Sequence, residues 1–128
     1  DFVPTTKTAY IDFMSNKPKN ESVKPAYKAA ENGDYSYALN LFLSAWNTEK
    51  HLPSGYNAAV IKACNGDIDG ALDLLNEVRS MVNNNDVNRL YVKLLDLKKR
   101  NEAAAEQYSG SANTATNIAT SPYEFLLN

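Results

Sequence analysis

Two stretches decide how this chain is read. Asn32 to Phe42 is "NGDYSYALNLF", and Asn65 to Leu75 is "NGDIDGALDLL", the same phrase 33 residues later. Gly33 aligns with Gly66, Asp34 with Asp67, Ala38 with Ala71, Leu41 with Leu74 and Phe42 with Leu75. A fixed period of this length marks a repeat architecture, in which each unit is one supersecondary element.

Within each copy the apolar residues follow helical spacing. Ala38, Leu41, Phe42 and Ala45 in the first, and Ala71, Leu74, Leu75 and Val78 in the second, fall at i, i+3, i+4 and i+7. The glycine stands just before this face, where a preceding helix ends on a residue that tolerates a left-handed backbone. A preceding helix is legible in both units. Tyr56 to Cys64 divides into one face with Ala58, Ile61, Lys62 and Asn65 and another with Tyr56, Val60, Ala63 and Cys64. In the first unit Ser22 is placed to cap a helix, and Pro25 falls in its first turn, where a missing N–H costs little. The unit is helix, tight turn, helix.

Working outward, a third and more worn copy follows. Asn83 to Asp86 reads as a loop ending in capping residues, and Val87, Leu90, Tyr91 and Leu94 form a helical stripe. Ala104 and Tyr108 stand 33 residues after Ala71 and Leu75, but the glycine position is Lys99. Glu102 to Tyr108 is helix-prone, so the turn is expected near Lys99. The helix over 35–46 carries a second stripe, Tyr35, Leu39, Leu43 and Trp46. Two apolar faces predict an internal helix packed on both sides.

The expected organisation is a capping segment or linker over 1–20, a helical repeat domain over 21–108 and a tail over 109–128. Tyr10, Ile11, Phe13 and Met14 are expected to form a short helix that caps the first unit, followed by a turn at "NKPKN" (16–20). Ser109 to Ser121 lacks an apolar period and reads as loop, and the closing "PYEFLLN" (122–128) is apolar enough to dock on the last helix pair. The fold class expected is all-α, a short right-handed solenoid of about three hairpins.

Composition narrows the function classes. A chain of 128 residues is one domain by length and can bury a real core. Its net charge of −2, without a basic block, gives no footprint for nucleic acid. No apolar run reaches the length that spans a bilayer. The single cysteine, Cys64, excludes an internal disulfide framework. The chain opens at Asp1 without a basic-then-apolar leader, which suggests a trimmed or processed chain or a piece of a longer one. Sixteen asparagines and eight tyrosines give the composition the flavour of a bacterial envelope protein, with a cytoplasmic setting as the alternative.

The residues also resemble a known family. Gly33, Asp34, Tyr35, Ala38, Phe42 and Ala45 look like the second half of a tetratricopeptide repeat, and "YNAAVIKACNGD" (56–67) looks like the start of the next one. The likeness runs over about Ser22 to Tyr108, with a period one short of the usual 34 residues. It implies a non-catalytic module that binds a protein or peptide in a concave groove lined by the first helix of each unit. Carried over, the groove positions are Val23, Tyr27 and Glu31, then Tyr56, Asn57, Val60 and Cys64, then Arg89, Lys93 and Asp96. Aromatic and charged groups together suit an extended peptide. The alternative is a structural or spacer domain in which the termini fill the groove. The resemblance also tests one specialisation, the clamp for chaperone C-terminal carboxylates. Asn57 matches its second-unit Asn, but Val23 and Tyr27 replace the first-unit Lys and Asn and remove a charge and an amide donor, so that partner class is excluded. Three hairpins is near the lower limit for a stable array, which leaves room for dimerisation and gives the ends a packing role.

Other chemistry is weak. Asn65, Asp67, Asp69, Gly70, Asp73 and Asn76 occupy positions of an EF-hand-like calcium loop, but Asn65 is neutral and Asn76 stands where a bidentate Glu belongs. Capping and the helix dipole explain Asp67, Asp69 and Asp73 as well. His51 lies in the polar stretch "NTEKHLPS" and reads as solvated, and nothing basic near Cys64 lowers its pKa. No cofactor motif and no enzyme constellation is legible, so the expectation is a protein that is not an enzyme.

Overall fold

A computed structural model describes residues 7–106 and 116–120. They are mostly helical. Strand β1 (Lys7–Tyr10) comes first, then a single 3-10 turn (Glu21–Val23). Five helices follow: α1 (Lys24–Glu31), α2 (Tyr35–Glu49), α3 (Leu52–Cys64), α4 (Ile68–Met81) and α5 (Asn85–Glu106). Strand β2 (Thr116–Ala119) closes the order. Each helix packs on the one before and the one after it, and one apolar core runs through the whole stack.

The two Asn-Gly-Asp phrases fold in the same way. Gly33 N–H donates to Ala30 O (3.0 Å) and Asp34 N–H to Ala29 O (2.8 Å); Gly66 N–H donates to Ala63 O (3.0 Å) and Asp67 N–H to Lys62 O (2.9 Å). These are paired Schellman bonds that satisfy the last carbonyls of α1 and α3. The glycines take φ of +83° and +87°, a region that side chains with a Cβ enter only at a cost. Each aspartate then starts the next helix at once. Asp34 accepts from Tyr37 N–H (3.2 Å) and Asp67 from Gly70 N–H (2.9 Å).

At Lys99 no such turn forms. Residues 85–106 are one helix through that position. Lys99 lacks the glycine that takes the left-handed conformation at low cost after α1 and α3, and the alanine-rich stretch continues the helix. The turn expected near Lys99 is therefore corrected, while Tyr108 lies outside the described residues.

The most enclosed helix is α3 rather than α2. Ala58, Ala59, Val60 and Ile61 are all fully buried, as are Ser54 and Asn57, so both faces of α3 pack against neighbours. Small residues allow this. A Cβ on Gly55 would stand 2.9 Å from Val78 Cγ2 and 3.1 Å from the Trp46 ring, which shows how closely α4 and α2 press on it. Trp46 is itself buried and donates its Nε1–H to Glu77 Oε2 (2.6 Å), tying α2 to α4.

The ends depart most from expectation. Residues 7–10 are a strand, and 11–18 run on without helix. The apolar residues alternate: Ile11 and Phe13 are buried while Tyr10 and Asp12 are exposed, the period of two that belongs to extended chain. The expected short helix over Tyr10 to Met14 is thus corrected. Strand β1 pairs in parallel with β2, Lys7 opposite Thr116 through Tyr10 opposite Ala119, and β2 rests on α3 and α5. The loop expected over 109–121 contains this strand. The docking expected of residues 122–128 lies outside the described residues.

Candidate functional site

The site begins with Asn57, a polar side chain at a fully buried position in the middle of α3. A buried amide is costly unless its donors and acceptor are satisfied. Here they are satisfied by the chain's own N-terminal segment. Met14 N–H donates to Asn57 Oδ1 (2.7 Å), and Asn57 Nδ2 donates to Met14 O (3.0 Å) and to Tyr27 Oη (3.0 Å). The Tyr27 hydroxyl donates to Met14 O as well (2.7 Å). One amide from α3 and one phenol from α1 therefore hold both main-chain groups of a single residue in the segment that follows β1.

Side chains on either side of that clamp complete the fit. Phe13 and Tyr27 both set their rings edge-on against Phe42 of α2, at 5.8 Å and 5.1 Å between centroids and nearly perpendicular. Burial pushes the Tyr27 hydroxyl far above its ordinary titration range, opposed by the Asn57 hydrogen bond. It stays a neutral donor at any ordinary pH.

The connection from Met14 to α1 is pinned too. His51, at the start of α3, is buried rather than solvated, which corrects the sequence expectation. Its Nε2 lies 3.3 Å from Pro18 O and its Nδ1 lies 2.6 Å from Ser54 Oγ. A carbonyl only accepts, so Nε2 is the donor to Pro18, and the serine hydroxyl, able to donate or accept, meets Nδ1. Asn20 Nδ2 and Ser22 Oγ both donate to the Glu49 carboxylate (3.1 and 2.9 Å), which holds that carboxyl below its ordinary pKa.

Beyond the clamp, a cavity of about 450 Å³ remains between residues 10–14 and the helices α3 and α5. Tyr56, Arg89 and Lys93 line it, with Asp86 and Asp12. Burial raises the Tyr56 pKa, and the two nearby carboxylates, Asp86 and Asp12, add to it against Arg89. Arg89 is itself paired with Asp86 (3.2 Å).

The predicted groove residues thus divide. Tyr27 and Asn57 meet on Met14, and Tyr56, Arg89 and Lys93 share the cavity. Val23 and Val60 are core residues, fully enclosed and not on a groove surface. Glu31 is exposed at the end of α1, and Asp96 pairs with Arg100 (3.0 Å). Cys64 is half-buried, and burial pushes its thiol up to about 11, which leaves it a poor nucleophile at neutral pH.

The position of α4 accounts for the side chains named by the calcium-loop alternative. The helix begins at Ile68, so Asp69, Gly70, Asp73 and Asn76 lie on a helix and do not wrap around a central point. The Asp67 carboxylate caps that helix and lies 3.8 Å from Lys62 Nζ, and Asp69 pairs with Lys98 (2.7 Å). Among the described residues no group of three or more His, Cys, Asp or Glu side chains is arranged to hold a metal ion. Nor is any described helix long and apolar enough to cross a membrane.

Sequence reasoning held the packing of a terminal segment against Tyr27 as its alternative; what it missed was that Ile11, Phe13 and Met14 do this as extended chain and not as a capping helix. The available signal was the alternation over residues 10–13, together with the threonine-rich, strand-prone run before it. Comparison with protein-family models, with curated proteins and with solved structures gives no match to this chain.

Proposed function

We propose that this chain is a non-catalytic module of tetratricopeptide-like helical hairpins, serving as a structural unit whose concave face is filled by its own N-terminal segment. The reading rests on one observation, the two-way hydrogen bonding of Asn57 to the Met14 main chain. A groove that grips the backbone of an extended strand is built for peptide, and here the peptide is intramolecular. A tethered segment competes at an effective concentration of roughly millimolar, so an untethered peptide of similar fit is displaced. The repeated Schellman turn, recurring with the 33-residue period, supports the hairpin-repeat reading.

Hydrogen exchange at the Met14 amide tests this. The expected result is protection close to that of core amides in α3, because the bond to Asn57 opens only when the segment leaves the groove. Exchange at the rate of free chain would mean an open groove and return the module to binding outside partners.

A second reading keeps the module in protein recognition. The cavity beside Tyr56, Arg89 and Lys93 is walled on one side by residues 10–14 and offers an aromatic ring and groups of both charges, Lys93 and the Arg89–Asp86 pair among them, to a partner's side chains. It predicts a partner whose affinity falls in a Lys93→Ala variant without loss of fold.

A further inference from the structure

We infer that the paired chain ends form a shear clamp, so that the domain resists tension applied along its own backbone. The inference follows from the sense of the β1–β2 pairing and does not depend on the repeat reading. The strands are parallel and in register from Lys7–Thr116 to Tyr10–Ala119, and Ile11 N–H extends the ladder to Ala119 O (2.8 Å). The chain enters β1 at Lys7 and leaves β2 after Ala119, so these two points lie at opposite ends of the ribbon. Tension between them draws the strands in opposite directions along their common axis. Every cross-strand hydrogen bond is then strained at once, and none opens ahead of the others. A hairpin with both free ends at the same pole is pulled apart one bond at a time.

The strands are also backed against slipping. Just past β1, Ile11 and Phe13 are buried and Met14 is held by Asn57 and Tyr27. On the other side, Ile118 is buried and β2 rests on α3 and α5. All five helices lie in the chain between the two strands. While the ladder holds, the load passes from β1 to β2 and the helices carry none of it. Their mutual packing is mainly apolar contact, which has no directional bonds to oppose sliding.

Single-molecule pulling of the whole chain between handles fused to its two ends tests the inference. One dominant rupture is expected, followed by release of roughly 350 Å of chain between Tyr10 and Thr116, at about 3.4 Å per residue. In an Ala119→Pro variant a strand N–H is lost, and the rupture force is expected to fall about twofold or more while the helical circular dichroism is retained. Should that variant fail to fold, a second geometry decides. Handles at Glu31→Cys and Ala103→Cys, both exposed helical positions, leave the strands off the load path in a Cys64→Ala background. The helix stack is expected to open at roughly half the end-to-end force or less, having no ladder to shear. Stepwise extension of the helices before the main rupture, or equal forces in the two geometries, overturns the inference.

Discussion

The helical stack and the terminal segments laid on it are stabilised by different kinds of bond. Between Lys24 and Glu106 most hydrogen bonds join residues three or four apart, and the helices meet through an apolar core. The segment over residues 7–14 has no such local support. Met14 is bonded to Asn57, 43 residues away, and β1 to a strand near the other end of the chain. The stack therefore rests on local bonds and a shared core, and the terminal segments depend on a few specific partners. Losing one buried long-range partner should cost more than disturbing one turn.

The sharpest test of that difference is Asn57→Ala. It strands Met14 N–H and removes an amide that sits fully buried, so a loss of about 3 kcal/mol is expected in denaturant unfolding. Exchange should rise at Met14 before it rises in α2 or α4. Equal rises everywhere would erase the distinction. Gly55→Ala attacks the stack instead. The new methyl meets Val78 and Trp46 too closely, and a loss of about 2 kcal/mol is expected. Gly66→Ala forces a left-handed alanine at a turn with open space around it, a loss of about 1–2 kcal/mol by thermal unfolding.

Alkaline titration separates the two regions in another way. Burial raises the Tyr27 pKa above its ordinary 10.0, so the folded state holds that proton more tightly than the unfolded chain. The contribution is complete below pH 10 and declines as pH rises above it toward the folded value. A Tyr27→Phe variant should lose less stability than the parent over the same alkaline range, since it has no proton there to release. The smallest effect is expected at Lys50, which ends α2 with φ of +53°. Lys50→Gly relieves the left-handed backbone and gives up the lysine's position over the Trp46 ring (5.1 Å), for a net gain of about 0.5 kcal/mol.

The helices were legible because their signals are local. Apolar spacing, a glycine and a capping aspartate all lie within one stretch of fourteen residues at 29–42 and again at 62–75. Lys99 misled because alanine spacing continued past it while the residue that stops a helix did not. Of the positions expected from the sequence to line a groove, Tyr27 and Asn57 meet on the Met14 main chain. That a terminal segment would lie against them was the alternative reading, but its extended form was hidden, because nothing near Phe13 says that its ring will meet Phe42. His51 was read as solvated for the same reason. Its partner Pro18 is 33 residues away, and neighbouring polar residues suggested water.

The parallel pairing of the ends also sets an order of events during synthesis. Strand β1 leaves the ribosome before the five described helices and its partner β2 after them. The stack can assemble from near neighbours as it emerges, since such contacts form early. Residues 7–14 must wait, first for Asn57 and then for Thr116, as an unpaired strand with Ile11 and Phe13 uncovered. Such a strand invites pairing with other chains. Lys7 and Asp12 put charge on the waiting strand, and the interval before the clamp closes is the period in which this chain is most exposed to its own copies.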